Sequence, residues 1–317
     1  MNRCFLRLFL LLLSGCATTV SDRDTLRSLT ERRSPPCPGR YSMQFVAQDS
    51  LALEPFMSIP AVAVEVGARS CNLLLDTGSP YNLLAPEIVQ ELELPVFGRR
   101  RIALLGREEE TYRTCVHELR AGGLAAAHVP FIVSPGHLER VLLGITLQRA
   151  DGVLGMAFLG PLCVTIDLRR GEVRLRDEGR VVEGPGVYTV PLVYLNDGRP
   201  CVDVTLAKGL RRRFMLDTGA RRCVLAQEDA RALGLPLLDE VSLLNLGTEV
   251  QGTTTVLPRL GLGTIAFDNV DAYVLPAFAE CFGTQFQGIV GIELFKNLAI
   301  TLDPERQALI IEGAPAR

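Results

Sequence analysis

Lysine is almost missing from this 317-residue chain: it occurs only at Lys208 and Lys296, and arginine carries nearly all the positive charge. With 33 basic and 36 acidic residues the net charge is −3, so no field of one sign covers the surface, which argues against nucleic acid as a partner. The apolar run LFLLLL near the start is too short to span a bilayer as a helix. No H-E-x-x-H occurs, and His117, His128 and His137 lack metal-ligand spacing, so neither a metal nor another cofactor is expected. The G-x-S-x-G elbow and the G-x-x-x-x-G-K-[ST] phosphate loop are both absent, and GLGTIAF at Gly261 lacks the third glycine of a dinucleotide loop.

What is present can fold. At 48% hydrophobic and 22% charged, the chain has material for a substantial core and length for two ordinary domains. Arg3 and Arg7 precede or open the apolar run, and LSGC (Leu13 to Cys16) follows it. That order resembles the lipobox of bacterial lipoproteins. The resemblance implies a signal peptide over 1–16, lipidation of Cys16 and a membrane anchor, with Ala17 after the cysteine pointing to the outer membrane, facing the periplasm. Residues 17–40 are polar and end in prolines, so they read as a flexible tether spanning about 25 to 30 Å. Removing Cys4 with the signal and Cys16 to lipid leaves Cys37, Cys71, Cys115, Cys163, Cys201, Cys223 and Cys281. Their odd number fits no dense disulfide framework; no pairs are assigned, and buried free thiols are expected for most.

One unit is written twice. CNLLLDTGSPYNLL at Cys71 and RRFMLDTGARRCVL at Arg212 place Asp76 and Asp217 141 positions apart. At that offset LELP at Leu92 falls on LGLP at Leu233, and Val129 and Val133 fall on Val270 and Val274. Further on the offset becomes 136: the passage from Asp151 to Leu175 matches that from Gln287 to Ile311, each an apolar glycine-flanked strand, a helix-like turn and a strand ending in Asp167 or Asp303. Two homologous domains follow, over 41–182 and 187–313, joined by the EGPG connector at Glu183. Local signals are mostly β, as in SIPAVAVEV and PCVDVTLA, with one short helix in each copy at PEIVQELEL and QEDARALGL. Short, regularly spaced strands favour a small barrel or sandwich.

An aspartate inside an apolar run is expensive to desolvate, so the fold must pair it, bond it or use it. A single D-T-G arises by chance in about one chain in fifteen of this length, but two in register between apolar strands do not. Each copy later supplies a strand ending in glycine, GVLG or GIVG. Together these motifs resemble the retropepsin-like and pepsin-like aspartic peptidases over nearly the whole chain beyond the tether. The resemblance implies an all-β fold of two closed barrel lobes about a pseudo-twofold axis, with one or two short helices per lobe. Both lobes lie on one chain, so a monomer suffices.

That resemblance further implies an endopeptidase in which Asp76 and Asp217 activate water against a peptide or protein substrate. Like charges at close range cannot both ionise, so the two acids would share one proton, as is the rule for this family. Thr77 and Thr218 would cross-link the two turns, and Gly78 and Gly219 would let the backbones approach. The fourth position is Ser79 in one copy and Ala220 in the other. A serine hydroxyl there could bond the carboxylate, so the alanine predicts a less acidic pH optimum than that of pepsin, unless Arg221 and Arg222 face inward. Residues 104–114 and 245–255 occupy the positions of cleft-covering hairpins, with Tyr112 a candidate flap tyrosine and Glu108, Glu109 and Glu110 a solvated tip or a preference for basic substrates. The alternative is a non-catalytic lipoprotein that binds a polypeptide or scaffolds a partner in the cleft between lobes.

Overall fold

The computed structural model describes residues 42–45, 50–56, 59–104, 107–134, 138–142, 145–179, 183–245 and 248–313. Cys16, the tether at 17–40, Cys37 and His137 lie outside the described residues.

Strand Ile59–Val66 shows how the sequence builds the sheet. Val62, Val64 and Val66 turn into the core, while Ala63 and Glu65 between them are exposed, the period-two pattern of a half-buried strand. It pairs with Arg69–Leu75, whose last three residues are all buried leucines. The short strand Gly152–Leu154 then inserts between Arg69–Leu75 and Leu83–Leu84, parallel to the first and antiparallel to the second. Leu83–Leu84 continues to Leu124–Val133, that strand to Arg107–Ala121, and Arg107–Ala121 back to Ile59–Val66, which closes a six-strand barrel.

The second lobe repeats the circuit through Pro200–Leu206, Arg211–Asp217, Gly288–Gly291, Cys223–Ala226, Ile265–Leu275 and Thr248–Leu262. Glycine is required at both inserted strands. A Cβ on Gly152 would overlap the Leu83 carbonyl oxygen, and one on Gly288 would overlap the Phe214 ring. Among the described residues the α-helices are short: Pro86–Glu91 and Met156–Leu159 in the first lobe, Gln227–Leu233 and Phe278–Phe282 in the second.

A six-stranded sheet joins the lobes, three strands from each. At its centre Cys163–Asp167 pairs antiparallel with Ala299–Asp303, and Thr165 faces Thr301 with their hydroxyl oxygens 2.9 Å apart. Those two threonines are 136 positions apart, so the sequence offset between repeats becomes a contact across the twofold axis. Cys71, Cys163, Cys201 and Cys223 are buried free thiols and Cys281 is a partly exposed one. Burial pushes the first three up to about 11 and Cys223 to about 12, which keeps them protonated and inert. Cys115 is disulfide-bonded, which the spacing of the cysteines did not reveal.

Candidate active site

The strands Arg69–Leu75 and Arg211–Asp217, each buried over the three residues before its aspartate, deliver Asp76 and Asp217 to the same place from opposite lobes. The two carboxyl groups meet where the active turns cross, each lying against the glycine of the other turn. The Ser79 N–H donates to Asp76 Oδ1 at 3.0 Å, and the Gly219 and Ala220 N–H groups donate to Asp217 Oδ1 at 2.9 and 3.1 Å. A Cβ on Gly78 would overlap the Asp217 carboxyl group, and one on Gly219 would overlap that of Asp76. Each glycine therefore makes room for the acid of the other lobe. Both aspartates are intermediate in exposure as whole residues.

Their electrostatics follow from that placement. Burial pushes Asp76 up, repulsion from Asp217 and the hydrogen bond between them push the same way, and it stands well above the usual carboxylate range. Burial also raises Asp217, opposed by the bond from Asp76, the Gly219 and Ala220 N–H groups and the Arg199 charge. The pair thus keeps a proton where an exposed carboxylate would have lost it.

Thr77 and Thr218, both buried, lock the turns together. The N–H of each donates to the Oγ1 of the other at 3.1 Å, and the hydroxyls donate to Leu216 O at 2.7 Å and Leu75 O at 2.6 Å. These four bonds exchange with one another under the offset of 141. One expectation fails at this site. The Ser79 hydroxyl donates to Tyr81 O at 2.8 Å and accepts from Tyr81 N, so it braces its own turn and leaves Asp76 alone. The Ser79 and Ala220 difference therefore gives no ground for an altered pH optimum. Arg221 and Arg222 are occupied by Glu293 and Asp271 at 3.3 to 3.5 Å.

The described residues of 104–114 and 245–255 do fall on paired antiparallel strands, Val96–Leu104 with Arg107–Ala121 and Glu240–Asn245 with Thr248–Leu262. Tyr112 packs against the main core of the barrel, which removes it as a flap tyrosine. The residue that links hairpin to active turn is instead Arg100: its Nη2 donates to the Tyr81 hydroxyl at 3.0 Å and its guanidinium lies 4.6 Å from the centre of the Tyr81 ring. Asn82 was also missed. It is buried, donates to Pro130 O and accepts the Gly155 N–H, both at 3.0 Å, tying the glycine strand to the turn. Its one sequence signal is a polar amide directly before buried leucines.

The family model described as aspartyl protease matches residues 62–158 and 202–294, together more than half of the chain. Among solved structures, the chain is similar to the crystal structure of a retropepsin-like aspartic protease from Rickettsia conorii, at 21% identity and a TM-score of 0.31, covering 41% of this chain and 94% of that one. A search of curated proteins finds no match.

Proposed function

Because the chain belongs to the aspartyl protease family, we propose that it is an aspartic endopeptidase that hydrolyses peptide bonds with water activated by Asp76 and Asp217. One observation carries the reading: two carboxyls, one from each lobe, are brought together with each lying against the glycine of the other's turn. With one proton between them, the ionised member takes a proton from water as it attacks the scissile carbonyl, while the protonated member donates to the carbonyl oxygen. Thr77, Gly78, Thr218 and Gly219 hold the two acids at that approach, with Ser79 bracing the first turn and Ala220 supplying an N–H to the second.

The test is cleavage of a peptide library across pH by the purified protein and by Asp76→Asn and Asp217→Asn. Each substitution removes one half of the acid–base pair, so the rate falls by at least about a hundredfold in both. Absence of cleavage by the unmutated protein at every pH, with peptide still bound, would leave a polypeptide-binding cleft in place of an enzyme.

We also propose that Cys16 carries a lipid that anchors the protein to the membrane of the cell envelope, on the strength of Leu13–Cys16 and the apolar run before it. Cys16→Ser is expected to move the protein from the detergent phase to the aqueous phase; equal partitioning of both forms rejects the anchor.

A further inference from the structure

The two hairpins beside the site are related by the repeat, yet they present different chemistry to it. In the second lobe Leu243 pairs with Val250, and both pack in the cluster that holds Met215 and Ile289, next to Asp217 on its strand and on the glycine strand. At the offset of 141 the matching pair in the first lobe is Ile102 with Glu109. Ile102 behaves as its mate does: it is 3% exposed and packs with Leu74, Leu83 and Val153, against which Tyr81 also lies.

Cross-strand partners in an antiparallel pair point to the same face. Glu109 therefore shares the face turned toward the active turn, at the position where the other lobe has an apolar side chain. Its neighbours Glu108 and Glu110 point to the opposite face, where they meet Arg101 at 3.6 Å and Arg99 at 3.2 Å. Glu109 is exposed and, unlike Glu108 and Glu110, is in no ion pair among the described residues. Arg100, on the same face, is turned onto Tyr81.

Resting on the peptidase reading, we propose that Glu109 is a specificity-determining residue that selects substrates with a basic side chain, lysine or arginine, on the first-lobe side of the cleft. An exposed carboxylate outside any ion pair, beside a bound peptide, attracts a cationic side chain and disfavours an acidic one. The second-lobe hairpin, with Val241 and Val250 at the positions of Arg100 and Glu109, adds no charge there, so the preference is confined to one side of the bond.

The experiment uses two peptide series at pH 6, one cleavable and one built on a non-cleavable transition-state isostere, each with lysine, norleucine or glutamate at successive positions. The isostere series reads binding whether or not cleavage occurs, so failure of the catalytic reading and failure of this one are separable. For the unmutated protein, lysine is expected to exceed norleucine at one position by about two- to fivefold, the range of a solvent-exposed ion pair. Glu109→Gln removes the preference and Glu109→Lys reverses it toward glutamate, while Glu108→Gln and Glu110→Gln leave it in place. Equal lysine preference in the Glu109→Gln protein, loss of it in either neighbour, or no preference at any position overturns the proposal.

Discussion

Asp76 and Asp217 are tolerable beneath apolar strands because each finds backbone N–H donors in its own turn and a glycine-shaped gap in the other lobe. The arrangement still has a pH cost whose sign can be worked out. An unfolded aspartate titrates near about 3.9, while burial and mutual repulsion raise the pair in the folded state. Between those limits the folded protein binds more protons than the unfolded chain, so stability falls as pH rises through the window. Asp167 has the opposite sign: although burial pushes it up, the bond from Arg169 and two backbone N–H groups hold it low, so its contribution is lost only as pH falls. Urea denaturation from pH 4 to 7 should therefore show a decline for the unmutated protein that is shallower in Asp76→Asn. Parallel slopes in the two proteins would mean that the pair is not protonated in this range.

Strands and helices differ in how far the sequence announces them. IPAVAVEV alternates and forms Ile59–Val66, while the proline opening PEIVQELEL stands at the first position of Pro86–Glu91, where its missing N–H costs nothing. The paired D-T-G turns were legible for the same reason, since a carboxylate repeated between leucines has few structural explanations. Helix Phe278–Phe282 was not legible: it has no side-chain cap, and it is held by Phe278 against Phe282 and Phe286 at 4.9 and 5.8 Å, contacts that exist only after folding. Hairpin faces were hidden too. A register shift between Phe97 and Arg99, with Gly98 at φ +58, resets the alternation and decides that Arg100 rather than Arg99 or Arg101 reaches Tyr81. The Ser79 hydroxyl was misjudged because its rotamer is set by Tyr81, a neighbour that offers both a donor and an acceptor.

At the scale of the molecule, the two sequence offsets reappear as the two places where the repeats touch themselves: Thr77 with Thr218 at the site, and Thr165 with Thr301 in the sheet beneath it. Strands Cys163–Asp167 and Ala299–Asp303 are buried along their whole length, so the lobes are held by a shared hydrophobic layer as well as by backbone pairing. Within that layer the threonine pair is a polar contact that each hydroxyl needs the other to satisfy, at 5% and 7% exposure. Replacing one with valine keeps the shape and strands the remaining hydroxyl, at a cost of about 1–3 kcal/mol. Replacing both removes the polar groups together and leaves an apolar contact of the same volume, so Thr165→Val with Thr301→Val should be no less stable than either single variant. A urea-denaturation double-mutant cycle measures this directly. Additive losses would mean that each hydroxyl has its own partner and that the axis is not a mutual contact. A double variant that keeps its stability would place the burden of joining the lobes on the sheet and its apolar faces, leaving the threonine bonds at the D-T-G turns to set the approach of the acids.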